Sequence, residues 1–335
     1  MYNKLLLVCL SFLLIVFIGT GCRDNAAVNQ TEEPIEEQEL PEERSRTGKE
    51  IFQIKEKEFE GSFIVAMDNH KNAYPHSGLD KADKVIEVLA EAGITRILAF
   101  FDSEHAEKIG PVRSARYYFV QIAKGYPAGF AHAGGNTDAL ALIPHLKVID
   151  IDEIYNSPGA FFRSQDRRSP HNLYTSTELL LQNANRRNLP IESLPGLPTG
   201  KVIGGEEAQI IDIPYSRSSA YYNVVSYIYE DGKYQRYVNG VVFETKDKVK
   251  IQPENVIIME AQSRHVVTDE LQSEIKIIGE GQAHYFVGGK VYSGQWKKEK
   301  AEDPFTFHYN NNLMFFKDGK TWIQVVPPSL AVSWS

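Results

Sequence analysis

The 335-residue chain has two cysteines, Cys9 and Cys22, and none beyond position 22. From residue 23 onward this excludes disulfide scaffolds, cysteine nucleophiles, zinc knuckles and iron–sulfur sites. An excess of positive charge is also missing. The formal net charge is −8, which excludes a general nucleic-acid binder with its basic footprint, so no nucleic-acid partner is expected. There is no HExxH pattern, no dinucleotide-binding glycine fingerprint and no Walker A spacing, and neither a metal nor a cofactor is expected. Long apolar runs are absent with one exception, Leu5–Ile18, whose fourteen residues fall short of the roughly 17–25 that a membrane-spanning helix needs. What is left is 42% hydrophobic and 24% charged, over a length that suits one large or two medium domains with a proper core.

That one apolar run follows a basic start at Lys4 and ends in Gly19-Thr20-Gly21-Cys22, the pattern of a signal peptide over residues 1–21. The small residues before Cys22 resemble a bacterial lipobox, in which the cysteine is acylated and becomes the new N-terminus; Gly19 stands where leucine is usual. Cys22 is therefore the expected lipidation site, and Cys9 leaves with the leader. The alternative is an uncleaved anchor with two incidental cysteines. Both readings place the protein at the cell membrane on its extracytoplasmic face, with the membrane as partner through the anchor. Arg23–Glu50 holds nine acidic and four basic residues and no aromatic one, too little apolar surface to fold. Residues 22–50 are read as a lipidated acidic tether.

The folded chain divides at Leu189–Lys201, which carries Pro190, Pro195, Gly196, Pro198 and Gly200. Before it, a strand at Phe63–Met67 is followed by a helix from Ser77-Gly-Leu-Asp80 to about Ala92, then a strand at Ile94–Phe101. A helix opens at Pro111 and runs to Lys124, a strand covers Gly129–Ala133, a short helix Thr137–Ile143, a strand Lys147–Ile151, and another helix starts near Thr175. The alternation predicts a layered α/β domain over 51–190 with a mixed sheet. Beyond the linker, residues 201–335 read as a mostly β domain: strands at 221–229, 234–238, 241–244, 255–260, 275–278, 283–287, 313–316 and 321–326, with turns such as Asp231-Gly232, Asn239-Gly240 and Gly288-Gly289. Tyrosines 221, 222, 227, 229, 234 and 237 either pack across strands or form a sugar-stacking surface.

Three groups could carry chemistry. On the expected first helix, Asp83, Glu87 and Glu91 fall at i, i+4 and i+8, a row of carboxylates that repel unless a cation or ligand offsets them. Arg113 and Arg116 stand near an expected helix start, where cations are disfavoured, so an anion is expected there: Glu87 or Glu91 from within, or a phosphate, carboxylate or acidic sugar from outside. His132-Ala-Gly-Gly135 and the loop Phe161–Tyr174, with Arg163, Arg168, His171 and Asn172, add polar groups after strands.

Asp68-Asn69-His70, Ser77-Gly-Leu79, Glu91-Ala-Gly-Ile-Thr-Arg96, Ile109-Gly-Pro-Val-Arg-Ser-Ala-Arg116, His132-Ala-Gly-Gly135 and Ser169-Pro-His-Asn-Leu-Tyr174 together resemble the YerB-like lipoproteins, the DUF3048 family of Gram-positive bacteria. Tyr237-Val-Asn-Gly240, Gly294-Gln-Trp296 and Gly319-Lys-Thr-Trp-Ile323 extend the resemblance into the second half; Tyr74 and His76 stand where the family often has Arg and Gln. The resemblance implies an extracytoplasmic lipoprotein with an α/β first and a β-rich second domain, and brings no established activity. The first functional reading is a binding or accessory role at the cell envelope, holding an anionic or cell-wall-derived ligand with Asn69, Arg96, Arg113, Arg116, His132, Arg163, Arg168, His171 and Asn172. One alternative is a cell-envelope hydrolase using Glu87 or Glu91 with His132 or His171. Another is an interaction scaffold for an envelope protein partner.

Overall fold

The computed structural model describes residues 61–89, 94–218, 222–267 and 271–335. The signal peptide, Cys22, the tether, Glu91 and Tyr221 lie outside them. The strands are β1 Phe63–Asp68, β2 Lys84–Leu89, β3 Thr95–Phe101, β4 Gly129–His132, β5 Asp150–Asp152, β6 Phe162–Arg163 and β7 Leu173–Tyr174. After the proline-rich segment follow β8 Glu206–Glu207, β9 Ile210–Arg217, β10 Tyr222–Glu230, β11 Lys233–Val238, β12 Val241–Val242, β13 Asn255–Glu260 and β14 Ser263–Val267. The last are β15 Leu271–Ile275, β16 Gly279–Val287, β17 Lys290–Lys298, β18 Thr306–Tyr309, β19 Asn312–Leu313, β20 Thr321–Val326 and β21 Ser333–Trp334. The helices are α1 Tyr117–Lys124, α2 Thr137–Leu146 and α3 Thr177–Arg187. The protein is thus mostly strand, with few helices.

One mixed sheet of 12 strands spans both sides of the proline-rich segment, in the order β19-β18-β17-β16-β13-β20-β2-β3-β1-β4-β5 with β8 against β17. β20, from the far end of the chain, lies parallel to β2 on one side and to β13 on the other. A second sheet, β12-β11-β10-β9-β21, covers one face together with α3: Ile213, Tyr227 and Leu180 pack with Val65, Met67 and Trp322. Helices α1 and α2 cover the other face, where Phe119, Ile122 and Ile143 meet Ile64, Ala66, Phe100 and Ile323. Asp231-Gly232, Asn239-Gly240 and Gly288-Gly289 all have positive φ at both positions, the two-residue hairpin turns expected of them.

Two expected helices take other forms. Residues 84–89 form a strand in the sheet centre, between β3 and β20, because Val85, Ile86 and Val88 are β-branched and buried on both faces. The expected row of acidic side chains on a helix therefore does not exist. The helix expected from Pro111 starts only at Tyr117. Its first residues are extended and stitched to neighbours: Val112 N–H donates to Leu173 O (2.7 Å), Arg113 N–H to Ala66 O (2.8 Å) and Ala115 N–H to Gly134 O (2.8 Å). These bonds satisfy the backbone outside a helix. The tyrosines do not form one surface: Tyr227 and Tyr234 are fully buried, while Tyr222 is exposed.

Candidate functional site

Strands β1, β4 and β5 are parallel, so their C-terminal residues Asp68, His132 and Asp152 share one edge of the sheet. β3 runs the opposite way and brings Arg96 to the same edge, in register with Asp68. Segment 109–115 and the loop 161–172 close over this edge, and Asp68 lies at the centre of the rim they form.

The Asp68 side chain is 4% exposed. Its Oδ1 accepts from the His70 N–H at 3.0 Å, and its Oδ2 lies 2.6 Å from His171 Nδ1. Arg113 Nε is 2.9 Å from the same Oδ2, a charge contact in which the N–H is not aimed at the oxygen. Burial pushes the Asp68 carboxyl up, but Arg113, the His70 amide and His171 outweigh it and hold the group below the usual carboxylate range. His70 stacks on His171, with ring centroids 5.2 Å apart at 12°. Burial, helped by His171, Lys71 and Arg113, lowers the His70 pKa against the opposing pull of Asp68. On the covering loop, Arg163 reaches Glu153 at 3.5 Å and donates to Asn172 Oδ1 at 3.2 Å. The Arg168 side chain is exposed and has no partner among the described residues. Of the expected ligand-binding residues, the rim gathers Arg113, Arg163, Arg168, His171 and Asn172. Arg96 stands beside it, 3.5 Å from the Ser114 carbonyl.

The others turn elsewhere. Asn69 points into the core, where it bonds Glu87 (3.0 Å) and Thr95 (2.7 Å). Glu87 has no exposure: Oε1 accepts from Asn69 and Thr95, and Oε2 from Arg236 (2.8 Å), Trp322 (3.1 Å) and Gln324 (3.0 Å). These donors occupy the lone-pair sites of a carboxylate, which rules out Glu87 as an acid or base toward a substrate. His132 is likewise buried, with Nε2 2.7 Å from Asp150 and Nδ1 2.8 Å from the Gly134 carbonyl. The Gly134 N–H donates to Asp152 Oδ1 at 2.9 Å. Arg116 faces away from the rim, toward the hairpin β14–β15.

The chain matches the profile of the protein-of-unknown-function DUF3048 N-terminal domain over residues 47–190 and that of its C-terminal domain over residues 211–323. It is 32% identical over 277 residues to the Bacillus subtilis protein named "Putative lipoprotein YerB", covering 81% of this chain and 82% of that one. The chain belongs to the DUF3048 family. The crystal structure of YerB from Bacillus subtilis superposes with a TM-score of 0.74 at 29% identity, covering 82% of this chain and 94% of that chain.

In this DUF3048 protein, Asp68 and His70 are the rim residues that sequence reasoning missed. Their signal was the polar run directly after the apolar strand Phe63–Met67. Arg236 left no comparable signal, being one arginine in a tyrosine-rich strand. Among the described residues no three His, Cys, Asp or Glu side chains gather as a metal-holding group. The rim offers arginines 113, 163 and 168 and His171 around the buried Asp68 carboxylate. That combination suits an anionic ligand.

Proposed function

We propose that this protein is a lipid-anchored extracytoplasmic binding protein of the cell envelope, tethered through Cys22 and taking an anionic, cell-wall-derived ligand at the Asp68 rim. The leader ending in Cys22 and the name of the Bacillus subtilis relative support the anchor. In this reading residues 51–190 form a layered α/β unit whose strand ends carry the rim. The observation that carries the binding role is the meeting of Arg113 and His171 on buried Asp68, beside the exposed Arg163 and Arg168. Two carboxylates, Asp68 and Glu153, stand against three guanidinium groups, and a ligand anion would complete the balance. Hydrolysis through Glu87 has no support, because no substrate reaches that carboxylate.

The test is co-sedimentation of the mature chain with intact cell walls and with walls stripped of their anionic polymers. Arg163→Ala with Arg168→Ala changes exposed side chains and should leave the melting temperature within a few degrees. Binding to intact walls is expected to fall at least tenfold in this double variant and to weaken with salt. Unchanged binding, or equal binding to stripped walls, would refute the rim as the site.

A further inference from the structure

The two ring nitrogens of His171 have different surroundings. Nδ1 lies 2.6 Å from Asp68 Oδ2. The Asp68 carboxyl, held below the usual carboxylate range, is ionised and can only accept, so Nδ1 carries the hydrogen and the neutral ring keeps its lone pair on Nε2. Nε2 has no hydrogen-bond partner among the described residues, and the side chain is 16% exposed. His132 differs: Asp150 and the Gly134 carbonyl occupy both of its nitrogens, and it is fully buried. The His171 ring is steadied by the His70 ring stacked on it at 12°, and its backbone N–H donates to the Arg168 carbonyl at 3.1 Å. A carboxylate behind one nitrogen and an open position in front of the other is the arrangement that lets an imidazole act as a general base. Cations stand beside it. Arg113 Nε is 2.9 Å from the same Asp68 Oδ2, and its Nη1 lies 3.5 Å from the carbonyl of Pro170, the residue before His171. The exposed Arg168 is on the same loop.

We infer that the rim hydrolyses a phosphodiester, with His171 as the general base. The inference rests on the reading of the rim as an anion site and goes beyond it by naming the group that is held and the bond that is cut. A phosphodiester carries one negative charge shared by two oxygens, which suits the planar fork of a guanidinium group such as that of Arg113 or Arg168. His171 Nε2 takes a proton from water, and the water oxygen forms a new bond to phosphorus while the bond from phosphorus to the leaving alcohol breaks on the far side. The electron pair of the broken bond stays on the alcohol oxygen, which takes a proton from solvent, and the imidazolium returns its own proton to solvent. The products are a phosphomonoester and an alcohol. In such transfers the protein mainly positions the groups and stabilises charge, the two services that an oriented imidazole and neighbouring arginines supply. Asp68 is a positioning residue: it does not touch the phosphate, but it fixes the His171 tautomer and stabilises the imidazolium.

The experiment measures release of nitrophenol from bis(para-nitrophenyl) phosphate by the mature protein in the presence of EDTA, alongside the cell-wall co-sedimentation described above. The unaltered protein is expected to turn the probe over, and His171→Gln to lose at least about a hundredfold in kcat/KM. Imidazole added to His171→Gly is expected to restore turnover, which a histidine with a merely structural role would not show. Asp68→Asn, whose amide can hold the other tautomer, is expected to lower kcat more than it changes KM. No release by the unaltered protein, an equal rate in His171→Gln, or no rescue by imidazole would overturn the inference and leave wall binding through Arg163 and Arg168 standing. Unchanged wall binding in the Arg163→Ala, Arg168→Ala double variant would instead overturn the anion site, and this inference with it.

Discussion

At the scale of single residues, His76 shows how burial turns one side chain into a pH-dependent element of stability. Its Nε2–H donates to the Asp68 carbonyl at 2.6 Å, its Nδ1 is buried without a partner, and burial lowers its pKa to about 4. Between pH 6.5 and 4 the unfolded chain binds a proton that the folded chain refuses, so stability is fully present above this window and falls as pH drops through it. The loss is about 3 kcal/mol at roughly 1.4 kcal/mol per pKa unit. Asp68, whose folded pKa is lowered, contributes stability that is present above the unfolded carboxylate range and lost only at lower pH. Replacing His76 with Gln keeps a donor for the Asp68 carbonyl and removes the titration. Urea unfolding at pH 7 and pH 4.5 should therefore show a clearly smaller loss in His76→Gln than in the unaltered protein. Equal losses would contradict this assignment. The sequence showed the polar run at 68–70, but not that its carboxylate meets Arg113 and His171, because those contacts span 45 and 103 residues.

At the scale of elements, the informative error is the first expected helix. Val85, Val88, Leu89 and Ala92 fit one helical face, yet a strand buried on both sides is equally apolar, and periodicity does not separate the two over so short a run. What decides the matter is β20, 237 residues further along, which pairs with β2 from Thr321↔Lys84 to Val325↔Val88. The start of α1 was misjudged for a related reason, since the partners of 112–115 lie on other elements. By contrast β1, β3, β4, β13 and β20 were legible, being apolar runs bounded by turn residues. The β2 reading has an energetic consequence. Arg236, from the second sheet, reaches Glu87 with neither side chain exposed, and its guanidinium carbon lies 4.2 Å from the Phe243 ring and 4.6 Å from that of Trp322. Burial works against the Arg236 charge, but Glu87 outweighs it and holds the pKa above the ordinary arginine value. Removing one member strands the other charge, so Glu87→Ala should cost about 3–5 kcal/mol in chemical denaturation. Glu87→Met with Arg236→Met should cost less than the sum of the two single changes. Additive losses would mean that the two groups do not act as a pair.

At the scale of the whole molecule, the proline-rich segment marks a change in sequence character without interrupting the sheet. It is itself pinned to its surroundings: the Leu194 N–H donates to Asp102 (3.0 Å), and the Phe316 N–H donates to the Pro198 carbonyl (2.8 Å). The strands that carry the Asp68 rim are flanked by β2, which is paired on its far side with β20, and Glu87 of β2, which anchors Asn69 beside Asp68, takes three of its five donors from residues beyond position 200. The rim therefore depends on the C-terminal half for its support, and both halves are expected to fold as one cooperative unit. Scanning calorimetry of the mature chain tests this most directly, because chains of this size commonly unfold in stages. A single transition with equal calorimetric and van't Hoff enthalpies is expected; two separable transitions, one for each half, would show that the halves unfold independently and that the rim does not rest on the C-terminal half.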